Sequence, residues 1–294
     1  MLDEFKNAFN RYNNAHVQLI IINVVIFLAL AVVFVFSKIS GFDPVFEIVH
    51  NQFSIPPKFS DFILRPWTII SYAFAHSLTD IFHILFNMLG LYWFGKLFIE
   101  YLGNDKLTAL YVLGALSGGV LYLLMFNTIP FFVERSAFSG MVGASAAVFA
   151  VMTATATLLP NYTFYLLFLG PVKIKYIVFF YIVVSFIGSV GPNAGGNLAH
   201  LGGALMGFIY VKQLQVGVNW GGWITSILEW IKSLFHAKPK VKVTYRKTEP
   251  VKKANNFNKA TQEEIDTILD KISDKGYESL TKDEKEKLFN ASKK

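Results

Sequence analysis

Four polar side chains, His83, Asn87, Ser145 and His200, lie in stretches of the sequence that are otherwise apolar enough to be buried in a membrane. An imidazole or a hydroxyl without a partner is unfavourable in hydrocarbon by some kcal/mol, so each of them needs a reason to be there. A serine with a histidine as its base can act as a nucleophile. Additional donors can stabilise the oxyanion that forms. The four residues therefore predict a serine nucleophile, its base and an oxyanion site inside the bilayer.

Ser145 lies in the sequence Gly143-Ala-Ser-Ala146 and begins a run of small residues. At the first turn of a helix, free backbone N–H groups and the helix dipole favour an oxyanion. Taken alone, the pattern is explained better by a serine that only lets helices pack closely. It also resembles the Gly-x-Ser-x-Gly elbow of soluble hydrolases, but Ala147 replaces the second glycine and the strand–turn–helix context is missing.

His200 is surrounded by small residues at a spacing of four, namely Ala199, Gly203 and Gly207. Such a face lets two helices approach closely, which a serine and a histidine on different helices need for contact at about 3 Å. Two alternatives remain open for His200, a purely structural hydrogen bond between helices and a proton-relay role in a transporter. The glycine ladder favours tight packing over a water-filled path.

His83 and Asn87 are four residues apart and share one helix face, so they could donate together to a developing negative charge. The alternative is a hydrogen bond between helices, and for Asn87 alone that alternative is strong. A zinc site formed by His76, His83 and His200 is disfavoured, because the spacing is poor and no carboxylate accompanies them in the membrane. We therefore predict no metal and no cofactor. The chain has no cysteine, which excludes thiol catalysis and disulfides.

The composition indicates a multipass membrane protein, since 53% of the 294 residues are apolar and only 16% are charged. The predicted fold is an all-α bundle of six transmembrane helices with a small cytoplasmic helical extension at the C-terminus. The loop 37–80 is too broken by Pro and charge to span, so we expect it to lie partly embedded at the interface. The six predicted spans are Val17–Phe36, Ile81–Ile99, Leu107–Phe126, Val142–Leu159, Tyr176–Val190 and Leu198–Leu214.

An even number of spans puts both termini on one side, and most Lys and Arg residues fall on that side. The positive-inside rule then predicts that both termini are cytoplasmic, and we expect the membrane to be a bacterial inner membrane. In this orientation, spans two, four and six all begin at the opposite face. His83, Asn87, Ser145 and His200 would all lie within roughly 10 Å of that face.

The sequence divides into five regions. Residues 1–16 form a cytoplasmic N-terminus and residues 17–215 the membrane domain. Residues 216–235 predict an interfacial amphipathic helix with tryptophan anchors. The basic linker 236–259 follows, and its cations are expected to meet anionic lipid rather than nucleic acid. Residues 260–294 predict a small helical pair with capping boxes at Thr261 and Thr281, and the partner of this pair is unknown.

Four stretches together resemble the rhomboid intramembrane serine proteases, and they occur in the order typical of that family. The resemblance covers roughly residues 15–215, and the tail after Trp220 lies outside it. The four stretches are Arg65-Pro-Trp67, His83-Ile-Leu-Phe-Asn87, Gly143-Ala-Ser145 and Ala199-His-Leu-Gly-Gly-Ala-Leu-Met-Gly207.

The resemblance implies a six-helix bundle that hydrolyses peptide bonds in or near the transmembrane helices of other proteins. It implies Ser145 as the nucleophile, His200 as the general base, and His83 and Asn87 as oxyanion donors. The family often has glycine directly after the serine, where this chain has Ala146; helical backbone donors do not require glycine, so we expect activity to survive. The alternative is an inactive rhomboid-like protein that binds client helices.

Overall fold

The computed structural model describes residues 14–136, 140–235 and 261–292, and these residues are mostly helical. The chain forms two compact units, residues 1–237 and 238–294. The helices of the first unit are α1 (Ala15–Ser40), α2 (Asp43–His50), α3 (Phe59–Leu64), α4 (Thr68–Ser71), α5 (Ile81–Leu102), α6 (Asn104–Thr128), α7 (Pro130–Val133), α8 (Ser145–Leu158), α9 (Ile174–Gly188), α10 (Ala194–Gln215) and α11 (Gly222–Phe235).

Three helices of the described chain, α1, α5 and α6, are long and apolar enough to cross a membrane by length and composition. Helices α8 and α9 are apolar but shorter, with 14 and 15 residues. A helix of 14 residues is about 21 Å long, less than the roughly 30 Å of a hydrocarbon core. Every residue of α8 from 146 to 156 is buried, so this helix is surrounded by protein. The predicted span from Val142 is wrong at its start, because α8 begins only at Ser145.

Glycines hold α6, α8 and α10 in direct backbone contact. A Cβ atom on Gly203 would lie 2.0 Å from the carbonyl oxygen of Ala146, and one on Gly207 would lie 2.2 Å from that of Ala150. On α6, a Cβ atom on Gly118 would lie 2.8 Å from the carbonyl oxygen of Ala199. Any larger residue at these positions would push the helices apart. The small-residue face predicted around His200 is therefore the surface on which α8 packs.

The segment between α1 and α5 contains three short helices, α2 to α4, and a 3₁₀ turn at Tyr72–Phe74. Asn127, near the end of α6, connects this segment to the bundle by two hydrogen bonds. Its Nδ2 donates to the carbonyl of Pro57 at 2.9 Å, and its Oδ1 accepts from the N–H of Phe59 at 3.0 Å. The segment was predicted to lie partly embedded in the membrane interface, and that location stays a prediction.

A two-stranded antiparallel hairpin connects α8 to α9, formed by β1 (Thr163–Leu166) and β2 (Gly170–Lys173). Thr163 pairs with Lys173 and Leu166 with Gly170. The prediction of an all-α fold did not include this hairpin. Its strands have only four residues each, and an apolar run that short does not distinguish a strand from part of a helix.

The second unit contains α12 (Gln262–Lys275) and α13 (Lys282–Ala291). Both predicted capping boxes are formed, with Thr261 paired to Glu264 and Thr281 paired to Glu284. An ion pair links the two helices, with Lys271 Nζ 2.9 Å from Glu284 Oε1. The predicted basic linker 236–259 and most of the N-terminal region 1–16 lie outside the described residues.

Candidate active site

The backbone before Ser145 is fixed from two sides. Residues Ile55 and Met141 form an antiparallel bridge through two N–H···O bonds of 3.0 Å. The N–H of Gly143 donates to the carbonyl of Tyr72 at 3.0 Å. Ser145 then begins α8, so its N–H belongs to the first turn of a helix, where the backbone donors have no carbonyl partner within the helix. The 3₁₀ turn at Tyr72 thus positions the serine.

Gly143 allows the His83 ring and the Ser145 hydroxyl to approach the same point. Its φ of 140° is a conformation that other residues rarely adopt. A Cβ atom there would lie 3.0 Å from His83 Cε1, 3.2 Å from His83 Nε2 and 3.4 Å from Ser145 Oγ. The space left by the missing side chain is therefore bordered by both of these predicted site residues.

His200 is held by two contacts that were not assigned to named residues from the sequence. Its ring stacks on that of Phe149, with centroids 4.2 Å apart and planes 11° apart. Its Nδ1 lies 3.0 Å from the Oγ of Ser185. Phe149 comes from the helix of Ser145 itself, one turn further along. Ser185, on α9, could have been noticed as another hydroxyl within an apolar run.

All four predicted site residues line one cavity of about 720 Å³. Ser185 and Phe149 border it too, and side chains of α5, α9 and the hairpin make most of the remaining wall apolar. Within the described residues, no hydrogen bond joins the Ser145 hydroxyl to the His200 ring. The structure therefore brings the serine and the histidine to one cavity without the hydrogen bond that proton transfer requires.

His83 and Asn87 lie at the start of α5. Oδ1 of Asp80 accepts from the N–H of His83 at 3.2 Å and caps the helix. The amide Nδ2 of Asn87 donates to the carbonyl of His83 at 2.9 Å, so one of its two protons is used within its own helix. The buried ring of His76 packs edge-on against that of His83, with centroids 5.4 Å apart.

A second cavity of about 740 Å³ meets the first at Asp80, His83, Ser145 and Asn193. Its wall also includes backbone-rich segments around Gly140 and residues 190–196. The serine is thus reachable from a mainly apolar side and from a more polar side. Among the described residues, no group of three or more His, Cys, Asp or Glu side chains is placed to hold a metal ion.

Comparison with protein families places most of the bundle in a known class. Residues 64–215 match the model of the rhomboid domain, and residues 252–294 match a family of unknown function (DUF6576). The first match covers more than half of the chain and includes every candidate site residue. The chain belongs to the rhomboid family. Helix α1 precedes the matched stretch, so the resemblance from about residue 15 extends further than the family match.

The chain is similar to three curated relatives. It is 36% identical over 162 residues to RHOMBOID-like protein 12, mitochondrial, of Arabidopsis thaliana, a stretch that covers 52% of this chain and 48% of the relative. It is 31% identical over 159 residues to Rhomboid protein 1, mitochondrial, of Saccharomyces cerevisiae, which covers 51% of this chain and 42% of the relative. It is also 30% identical over 156 residues to RHOMBOID-like protein 1 of Arabidopsis thaliana, which covers 51% of this chain and 36% of the relative.

The chain thus spans half the length of these relatives or less. Two of them are named as mitochondrial, which gives no support to the predicted bacterial inner membrane. What the family and the candidate spans establish is a rhomboid membrane protein.

Proposed function

We propose that the chain is an intramembrane serine endopeptidase that cleaves other proteins in or near their transmembrane helices. The observation that carries the proposal is that Ser145, His200, His83 and Asn87, from three different helices, line one cavity. Membership of the rhomboid family and the fixed turn before Ser145 support it. The clients are other membrane proteins, and no metal or cofactor takes part.

In the proposed reaction, Nε2 of His200 takes the proton of the Ser145 hydroxyl as Oγ attacks the carbonyl carbon of the scissile peptide. The N–H of Ser145 and donors from His83 and Asn87 stabilise the oxyanion. His200 then gives its proton to the departing amine, which leaves an acyl-enzyme. A water molecule from the cavity, deprotonated by His200, attacks the ester carbonyl. The bond to Oγ then breaks, His200 returns the proton to the Ser145 oxygen, and the second product leaves with a new carboxyl terminus.

The arrangement in the membrane is part of the proposal. We infer that α8, α9 and α10 cross the membrane together with α1, α5 and α6, which makes six spans. Burial of α8 among other helices supports this, because a surrounded helix does not have to match the bilayer thickness. Most Lys and Arg residues of the loops and tails fall on the same side of the proposed spans as both termini, and the positive-inside rule assigns that side to the compartment from which the protein is inserted. For a bacterial inner membrane, that side is the cytoplasm.

One observation favours a second function, a rhomboid-like protein that binds client helices without cutting them. Within the described part of the chain, Ser145 and His200 share a cavity but no hydrogen bond. For the protease to act, the two side chains must come within about 3 Å when a client is bound, as catalytic hydrogen bonds often do only in the complex.

Cleavage of a fluorogenic transmembrane substrate by the purified protein in liposomes tests the proposal. We expect wild type to cleave, and Ser145→Ala and His200→Ala to lose at least 1,000-fold in rate, since members of a catalytic pair act as a unit. Binding of the uncut substrate should persist in both variants. If Ser145→Ala cleaves as fast as wild type, the serine is not the nucleophile.

A further inference from the structure

Helix α9 turns a single stripe of residues inward, and Ser185 is its one polar member. The buried residues of α9 are Ile174, Val178 and Ser185, which share one helix face. Ser185 is 2% exposed, and its Oγ lies 3.0 Å from Nδ1 of His200. A buried hydroxyl within hydrogen-bond distance of one ring nitrogen can hold the ring of the proposed base in one orientation, and where it accepts from Nδ1–H it favours the tautomer with the proton on Nδ1.

We propose that Ser185 is a positioning residue that holds His200 in the tautomer able to act as a base. This inference rests on the proposed function. The Ser185 oxygen accepts a hydrogen bond from Nδ1–H, which leaves the lone pair of Nε2 for the proton of Ser145. In the opposite tautomer Nε2 carries a hydrogen and cannot accept that proton.

A hydroxyl suits this position because it orients the ring without adding a charge. An ionised carboxylate in the same place would have to be buried beside apolar walls, which is costly in a membrane. The Ser185 oxygen also keeps accepting from Nδ1–H after His200 becomes doubly protonated. Stacking on Phe149 fixes the plane of the ring, and Ser185 fixes the rotation within that plane.

The test compares three variants in the liposome assay. Ser185→Ala should lower kcat about tenfold with KM within twofold of wild type, and Ser185→Thr, which keeps the hydroxyl, should restore most of kcat. Ser117→Ala is the matched control, because the Ser117 hydroxyl also bonds α10, at the carbonyl of Gly202 and 2.8 Å away. It should lower thermal stability without lowering kcat.

A ¹⁵N spectrum of histidine-labelled protein gives a second readout that a structural role would not change. His200 should show a protonated Nδ1 in wild type and a larger share of the other tautomer in Ser185→Ala. A kcat for Ser185→Ala within twofold of wild type, or equal losses in Ser185→Ala and Ser117→Ala, would overturn the inference. Ser145→Ala separates the two proposals: if it is inactive while Ser185→Ala is normal, only the role of Ser185 fails.

The tip of the hairpin carries a second, independent inference. Leu167, Phe168 and Leu169 are 88%, 92% and 74% exposed, and Tyr165 beside them is 84% exposed. The protein leaves this run of large apolar side chains largely uncovered, although Leu169 also borders the main cavity together with Phe164, Leu166 and Val172. In water, such an exposed run would be unfavourable and prone to association.

We infer that lipid acyl chains cover the hairpin tip. Strand β2 continues directly into α9, whose Phe179, Phe180 and Phe186 are more than 60% exposed, so the tip extends one apolar surface. At the base of the hairpin, Lys173 is exposed, and Nζ of Lys175 lies 3.3 Å from Asn161 Oδ1. Cations at that level suit lipid phosphates, while the apolar tip reaches deeper.

Because the chain has no cysteine, single nitroxide labels can measure depth in the full chain in liposomes. A label at Phe168→Cys should collide with oxygen more than with a polar nickel complex, as should one at Phe186→Cys. A label at the exposed Asp274→Cys of the second unit should show the opposite ranking. If the label at position 168 behaves as the one at position 274 does, lipid does not cover the tip.

Discussion

Helices α8 and α9 are almost equal in length, but they differ in their surroundings. Residues 146–156 of α8 are all buried, and glycines of α10 pack on its backbone. On α9 only Ile174, Val178 and Ser185 are buried, and most of its other large side chains are exposed. The proposed nucleophile, Ser145, thus begins a helix that is enclosed by protein. Ser185, which contacts the proposed base His200, belongs to a helix that packs on the bundle through one face only.

This difference suggests a division of labour within the bundle. The contact between α8 and α10 is set by backbone atoms, which have no alternative rotamers, so it fixes the spacing of the helix backbones that carry Ser145 and His200. Helix α9 borders the main cavity and contributes larger, adaptable side chains. Changes at the first contact should therefore affect folding and catalysis together, and changes on the side of α9 that borders the cavity should affect mainly catalysis or client access.

The largest effect is expected at the contact of α8 with α10. Gly203→Ala would place a Cβ 2.0 Å from the carbonyl oxygen of Ala146, and both atoms belong to helix backbones that cannot yield separately. We expect a loss of about 3 kcal/mol in unfolding free energy, at the upper end for overpacking, with loss of activity. Unfolding in detergent, followed by tryptophan fluorescence, measures it.

The matched control for that variant is Gly222→Ala, where the nearest atom to a new Cβ is 3.7 Å away, in ordinary contact. It should change the unfolding free energy by less than about 0.5 kcal/mol. Equal stability of the two variants would show that the close backbone contact is not tight in solution.

The next effect is expected at the turn before the serine. Gly143→Ala combines an unfavourable φ of 140° with a Cβ 3.0 Å from the ring of His83. We expect at least a hundredfold loss in kcat/KM, because displacement of His83 or of the serine turn by about 1 Å is enough for that. Initial rates of cleavage of the transmembrane substrate measure this loss. A rate within threefold of wild type would show that a Cβ at residue 143 does not displace His83 or the serine turn.

A smaller effect is expected from the ring that stacks on His200. Phe149→Leu keeps an apolar side chain but removes the stacked plane, and aromatic pairs contribute about 0.5–1.5 kcal/mol beyond burial. We expect kcat/KM to fall by roughly tenfold. Phe186→Leu, on the exposed face of α9 and away from the main cavity, serves as the control and should stay within twofold. Similar losses of kcat/KM in both variants would show that stacking on His200 is not what makes Phe149 important.

The smallest effect lies in the second unit. Lys271 and the N–H of Thr281 lower the pKa of Glu284 to about 2. The folded-state pKa of Glu284 lies below the value in the unfolded chain, which is about 4.3. The ion pair therefore contributes its full stabilisation at pH values above about 4.3. The contribution is lost as pH falls towards 2. The ¹³C shift of the Glu284 carboxyl in the full chain should report the low midpoint, and Lys271→Met should raise it; an unchanged midpoint would exclude the ion pair.

Much of the site could be predicted because polar groups in apolar spans are conspicuous, and because Ala199, Gly203 and Gly207 mark a face for close packing. The capping boxes at Thr261 and Thr281 were equally readable, since they depend on residues three positions apart. Features that depend on contacts between distant segments could not be predicted from the sequence. The bond between Ser185 and His200 requires the rotation of α9 about its axis, which the continuous apolar run from Tyr176 to Val184 does not define.

The hairpin was missed, and α8 begins three residues later than the span predicted from Val142. A short apolar stretch is compatible with helix or strand, and here tertiary packing decides between them. A helix needs about 20 residues to cross the hydrocarbon core only where lipid surrounds it, and α8 is surrounded by protein. Local patterns therefore predicted which polar residues meet at one cavity more reliably than they predicted the bounds and types of the elements that hold them.

Labelling with a fluorophosphonate, followed by mass mapping of the modified residue, tests the central claim most directly. Only a serine whose hydroxyl is activated by a base reacts readily. We predict that the wild-type protein in liposomes is modified at Ser145, and that His200→Ala is modified at least a hundredfold more slowly. Absence of a label on Ser145 in folded wild-type protein, or equal labelling of His200→Ala, would contradict the account.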